Sequence, residues 1–343
     1  MNKLKNILTA CAIAVAGSVG AAGPAELLAH ADDMTWLLPG VPYPTENAPT
    51  PERVELGKKL FFDPRLSADN SVSCATCHNP VLGWADGRAT AKSIQGKDLQ
   101  RASPTIVNAA FNSIQMWDGR KKSLEDQAMG PMESMVEMAM NLNRLFAWLK
   151  SDADYAAAFA AAYPGEAIDD KTVSKAIASF ERTVISNNSP FDRWLRGDAN
   201  AMSASQIRGF RLFTDENKGN CAVCHQAPNF TDNGFHNLGL PSYGAPEPDV
   251  GRYAIKPIAV LKGAFKTPTL REVARTAPYF HDGSAKSLME VVEHYNKGGV
   301  VRKDISPEMR ELGLSQQEMQ DIVAFMQALT SPQINLALPE LPY

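Results

Sequence analysis

Two five-residue runs constrain this chain more than anything else in it: Cys74-Ala75-Thr76-Cys77-His78 and Cys221-Ala222-Val223-Cys224-His225. Each supplies what a c-type haem requires. Two thiols about one helical turn apart reach the two vinyl groups of the porphyrin, and the adjacent His faces the iron as proximal ligand. A zinc knuckle or a redox dithiol also uses Cys-x-x-Cys, but neither needs a His fixed immediately after the second Cys. The motifs therefore predict two covalently bound haem c groups, on Cys74, Cys77 and His78, and on Cys221, Cys224 and His225.

An internal repeat organises the residues around the motifs. Pro104-Thr105 runs through Trp117-Asp118-Gly119-Arg120 to Ser123-Leu124. At an offset of 164 positions, Pro268-Thr269 runs through His281-Asp282-Gly283-Ser284 to Ser287-Leu288. Upstream, Gly57-Lys58-Lys59-Leu60-Phe61 matches Gly209-Phe210-Arg211-Leu212-Phe213, each copy leading into its own Cys-x-x-Cys-His run. Several identities in one register predict two related units with one haem each. The fold class is mainly α: two cytochrome c-like haem domains, 32–195 and 196–343. Val173, Ile177, Phe180 and Val184 fall on one helical face. Capping boxes at Ser203-x-x-Gln206 and Ser315-x-x-Glu318 open two further helices.

The N-terminus reads as a secretory signal peptide over residues 1–22, with cleavage between 22 and 31: Lys3 and Lys5 precede an apolar run from Ile7 to Ala22. No later segment is long and apolar enough to span a bilayer. Loss of the signal removes Cys11, leaving four Cys, all in the haem motifs, so no disulfide is expected. Export suits covalent haem attachment, and the expected location is periplasmic. A net charge of −4 with no basic stripe argues against nucleic acid as a partner.

The chain resembles the bacterial dihaem cytochrome c peroxidases, and within them the MauG-like branch. The likeness rests on the two haem motifs, on Met116-Trp117-Asp118-Gly119-Arg120, and on Pro278-Tyr279-Phe280-His281-Asp282-Gly283. It implies a high-spin, peroxidatic haem in the first domain and a low-spin, electron-transfer haem in the second. In the peroxidase branch a Met fourteen positions after the His of the second Asp-Gly turn ligates the second haem. Here that position is Tyr295, as in MauG-like members. A phenolate favours ferric and higher states, whereas a thioether raises the potential. His294, His281 and Met289 are the rival ligands.

On the repeat, position 295 corresponds to Pro131, which cannot ligate iron. Family members that close the first haem use a His in the loop that here reads Ser93-Ile94-Gln95-Gly96-Lys97-Asp98. No His occurs between His78 and His225, so the first haem is expected to keep an open face. The resemblance places Glu137 there as acid/base, with Gln127 orienting peroxide and Trp117 carrying electrons between the haems. Glu133 is the neighbour most easily confused with Glu137, and Arg120 and Lys266 are candidates for the propionates.

Family members also hold calcium through two carbonyls, here Thr276 and Pro278, and an Asn whose position is Ala102. Calcium then needs another side chain or water in place of that Asn. MauG takes electrons through a surface Trp two residues before its second haem motif; that position is Gly219, and Trp194, the candidate replacement, reads rather as a structural residue.

The function implied is reduction of hydrogen peroxide at the first haem. The electrons come either from an oxidisable protein substrate or from a small cytochrome c or cupredoxin. A non-catalytic dihaem electron carrier is the rival, and would need a ligand from Met129, Met132, Met135 or Met138. The family often forms homodimers, and the sequence leaves the oligomeric state open.

Overall fold

The computed structural model describes residues 28–332 and 336–341. The signal segment and Cys11 lie outside the described residues. Among the described residues ten α-helices carry the fold: α1 (Pro51–Phe62), α2 (Cys74–Cys77), α3 (Leu124–Glu133), α4 (Leu142–Ser151), α5 (Ala153–Ala162), α6 (Asp170–Glu181), α7 (Pro190–Leu195), α8 (Ala204–Thr214), α9 (Leu288–Asn296) and α10 (Gln316–Gln327). A two-stranded antiparallel ribbon pairs β1 (Phe235–His236) with β2 (Phe265–Lys266).

Local chemistry sets the helix starts. Thr50 caps α1 by accepting from the Arg53 N–H (3.2 Å), and Pro51 fills the first turn, where its missing N–H costs nothing. Both capping boxes read from sequence are formed. Ser203 N donates to Gln206 Oε1 (2.8 Å), and Ser315 N donates to Glu318 Oε2 (2.8 Å). The apolar face of α6 is buried throughout: Val173, Ile177 and Phe180, and Val184 just beyond its end, are each at most 2% exposed.

The two units are built on the same helix crossing. A Cβ at Gly57 of α1 would overlap the Ala176 carbonyl of α6, and one at Gly209 of α8 would overlap the Asp321 carbonyl of α10. The absent side chain lets each backbone pair approach closely. Behind each crossing the aromatic rings repeat. Phe61 lies 5.2 Å from Phe180 and 6.4 Å from the His78 ring; Phe213 lies 5.2 Å from Phe325 and 6.5 Å from His225. The Asp-Gly turns match too. The bridges Gln115–Lys121 and Tyr279–Ala285 keep the 164-residue offset, and Met116 and Phe280 share a left-handed φ of 73° and 70°.

Two hydrophobic cores result. The first gathers buried residues from Leu56 to Val184, and the second runs from Phe191 to Leu329. Trp36 joins the second core, edge-on to Phe210 and 4.7 Å from Phe230. The sequence division at 195/196 assigns Trp36 and α7 to the first unit; their aromatic side chains, Trp36, Phe191 and Trp194, pack in the second. The division by packing therefore falls between Val184 and Phe191, with the 31–36 turn crossing back. Among the described residues, no helix is long and apolar enough to cross a membrane.

Candidate haem sites

Each motif His is set by the carbonyl of a residue with left-handed φ. His78 Nδ1 donates to the Trp84 carbonyl (3.2 Å; Trp84 φ 61°), and His225 Nδ1 donates to the Phe230 carbonyl (3.0 Å; Phe230 φ 56°). With the proton on Nδ1, the Nε2 lone pair of each ring is free to bind a metal. Burial lowers the pKa of both rings, that of His225 to about 4, and keeps them neutral. Burial likewise pushes the Cys74 and Cys221 thiols up to about 12. That is the reverse of what a redox dithiol needs, because its attacking Cys is a low-pKa thiolate. None of the four Cys is in a disulfide.

The second motif opens on a cavity of about 520 Å³. Cys221, Cys224 and His225 form one wall, and Tyr295 of α9 lines the same space, together with Met326 of α10. The volume lies in the range of cofactor pockets. Burial raises the Tyr295 hydroxyl above its ordinary pKa, with Cys224 and Cys221, which line the same cavity, adding to the effect. Each rival ligand has other contacts, although His281 also lines this cavity. His294 Nε2 donates to the Leu238 carbonyl (2.8 Å), and His281 stacks on Phe265 at 3.5 Å. Met289 packs, partly buried, against the second core. The donor set of Cys221, Cys224, His225 and Tyr295 around one apolar cavity can hold a haem.

At the first motif the candidate residues come from α3 and the turn that follows it. Ser123 caps α3, which carries Gln127, half-buried, and Pro131 in its last turn. The chain then folds back. Glu137 N donates to the Ser134 carbonyl (3.0 Å), Met138 N to Pro131, and Met140 N to Met132. Met132, Met138 and Met140 are buried and anchor the turn in the first core. Glu137 is half-buried between these anchors, in a turn rather than on a helix. Burial raises its pKa, opposed by the Arg120 guanidinium, and its charge acts on Cys77. Glu133 is exposed at the end of α3. Of the Met residues the electron-carrier reading needs, Met132 and Met138 are core residues, Met129 packs against that core, and Met135 is 72% exposed. The loop 93–98 is closed as a turn by Ser93 N–H to Lys97 (2.7 Å).

Trp117 sits at the seam. Its indole N–H donates to the Ala102 carbonyl (2.9 Å), its own carbonyl accepts from Lys266 N of the second unit (2.8 Å), and it lines the second-haem cavity. Its ring is 6.4 Å from His281. Arg101 fastens the same seam, reaching Asp118 (2.7 Å) and Asp249 (2.7 and 2.9 Å). Arg120 is tied to Asp118 (2.8 Å) and Lys266 is buried, its pKa lowered by burial to about 8.

Two implied features do not fit these residues. Ala102, Thr276 and Pro278 lie together on the cavity wall, but Ala102 brings only a methyl group, and its carbonyl is taken by Trp117. The calcium site thus lacks its side-chain ligand. A side chain at Gly219 would put its Cβ 2.6 Å from the Leu212 carbonyl, and Trp194 is 1% exposed in the second core. Neither position offers a surface Trp.

The sequence reading overlooked His236 and Asp232. His236 Nε2 donates to Asp232 Oδ2 (2.8 Å), with Cys224 Sγ inside the same 4.8 Å cluster. The Asp232 carboxylate raises His236 to about 10 and is itself held at about 2, an ion pair whose His lines the second cavity. Their i, i+4 spacing is common and carried no signal.

Comparison with known proteins agrees with this layout. The family model described as di-haem cytochrome c peroxidase matches residues 51–200, and that of cytochrome c matches 206–330. A "methylamine utilization protein MauG" of Methylorubrum extorquens is 44% identical over 305 residues, covering 88% of this chain and 85% of the relative. A "cytochrome c551 peroxidase" of Pseudomonas aeruginosa is 36% identical, covering 84% and 81%. Among solved structures, a "MauG-like protein associated with microbial copper homeostasis" superposes with a TM-score of 0.79 at 31% identity. It covers 86% of this chain and 95% of the other.

Proposed function

The chain belongs to the di-haem cytochrome c peroxidase and MauG family, and on that premise we propose that it is a periplasmic, peroxide-driven oxidase of a protein partner. The observation that carries the reading is that Tyr295 lines the same cavity as Cys221, Cys224 and His225, at the position where the peroxidase branch has Met. Two haem c groups, attached at Cys74/Cys77 and Cys221/Cys224 with His78 and His225 as proximal ligands, supply the redox chemistry when bound.

The side chains divide the work. Glu137 takes the proton from the near oxygen of hydrogen peroxide and returns it to the departing oxygen. A carboxyl raised toward neutrality by burial does both at little cost. Gln127, on the preceding turn of α3, hydrogen-bonds and orients the peroxide. Pro131 presents neither ligand nor N–H, and the 93–98 loop presents no His, so neither would close the first haem's face beside Glu137. Trp117, hydrogen-bonded on both sides of the seam, is the route between the two sites. Tyr295 would hold the second haem, giving up its proton to the metal's charge, and a phenolate there would favour oxidised states.

A second reading, a cytochrome c peroxidase fed by a small cytochrome c or cupredoxin, is favoured by the crowded Gly219 and the buried Trp194. Stoichiometric peroxide added to the resting ferric protein separates the two. A long-lived state two equivalents above ferric, with slow turnover of reduced cytochrome c, supports partner oxidation. Rapid catalytic turnover with that donor supports the peroxidase.

A further inference from the structure

The repeated helix crossing gives a residue-by-residue correspondence between the two haem sites. Gly57 meets Ala176 and Phe180 as Gly209 meets Asp321 and Phe325. Phe180 is therefore equivalent to Phe325, and the next residue, Glu181, to Met326. Met326 lines the second cavity. Glu181 holds on α6 the position that Met326 holds on α10, and its charge acts on Cys74 of the first motif. One site thus has a carboxyl where the other has a thioether.

Glu181 is 4% exposed, and its Oε2 is buried without a hydrogen-bond partner. A buried, unpartnered carboxyl oxygen is costly unless it has a role or binds a missing neighbour. The surroundings do not fix its charge. Arg182 follows it as the cap of α6 but is held by Glu125 of α3 through two bonds (2.7 and 3.1 Å). From α1 the group meeting this level of α6 is Phe61, 5.2 Å from Phe180, and from α2 it is Cys74. Burial lifts the carboxyl to about 8, against the pull of Arg182 and with a further push from Glu125.

We propose that Glu181 is the proton-binding site coupled to the redox state of the first haem: when that iron takes one electron from a donor, the Glu181 carboxylate takes one proton from solvent. The proposal rests on the haem reading of Cys74. A ferric centre carries one more positive charge than a ferrous one and favours the ionised carboxylate; reduction removes that charge and favours the acid. Between the two resulting pKa values, the first haem's midpoint potential must fall as pH rises. The second haem, with Met326 in the equivalent place, receives no such contribution. The pair would then match electron entry at the first haem with a proton, and peroxide reduction consumes both.

The test is a spectroelectrochemical titration of the holoprotein at several pH values through the neutral and alkaline range, with E181Q and E181M. E181M installs the residue the second site uses. The wild type is expected to show a first-haem potential that falls with pH, approaching one proton per electron, and the slope is expected to vanish in both variants. Reduction-minus-oxidation infrared spectra are expected to gain a protonated-carboxyl band that E181Q lacks. A slope retained in both variants, or lost instead in E137Q, overturns the proposal. Absence of haem on Cys74 in the wild type, seen by mass spectrometry, overturns the haem reading as well.

Discussion

Glu137→Gln isolates the acid/base step. The substitution keeps shape and hydrogen-bonding capacity, so the turn anchored by Met132, Met138 and Met140 should stand and haem content should not change. What is lost is the ability to accept and return a proton. Positioned acid/base groups contribute about 10²–10⁴ in rate, or about 2.7–5.4 kcal/mol of barrier. Burial has already lifted this carboxyl, and the opposing Arg120 is tied to Asp118 (2.8 Å), so little in the site can take over. The assay is stopped-flow mixing of the ferric protein with peroxide, reading the second-order rate constant. The ionised form is the base, so the wild-type rate should climb with pH through a pKa above the usual carboxylate range. E137Q should be slower by about 10² or more and lose that limb. Glu133→Gln, altering an exposed carboxylate at the end of α3, should change nothing. A rate for E137Q close to the wild type, or an equal loss in E133Q, would refute the reasoning.

Tyr295→Met should raise the potential of the second haem, measured by redox titration, and shorten the life of any state above ferric; an unchanged potential removes Tyr295 as a ligand. Arg271→Met tests the second core. Arg271 and Asp192 are both fully buried, paired at 2.9 and 3.0 Å, and Arg271 also donates to the Trp36 carbonyl (3.0 Å). Leaving Asp192 buried and unpaired should cost about 3–5 kcal/mol in denaturant unfolding, and a loss under about 1 kcal/mol, the scale of an exposed pair, would contradict it.

What was legible in the sequence was local. A Cys-x-x-Cys-His run, a Ser-x-x-Glu box and an Asp-Gly turn each carry their chemistry within a few residues, and the structure forms the boxes and turns at those positions. The repeat was visible from identities in one register, but not the reason for Gly57 and Gly209, which is a backbone contact with a helix more than a hundred positions away. Trp36 escaped for the same cause: nothing near it in sequence reveals that its ring belongs with Phe210 and Phe230. Glu181 reads as one more charged residue at a helix end. Its meaning appears only when the two crossings are laid over one another and Met326 is found in its place.

The central claim is that the two Cys-x-x-Cys-His sites are unequal, an open one facing Glu137 and a closed one facing Tyr295. Electron paramagnetic resonance of the resting ferric protein tests this most directly. The account predicts one high-spin haem and one low-spin haem in equal amounts, with the low-spin signal altered by Tyr295→Met. Two low-spin haems in the resting protein would contradict it.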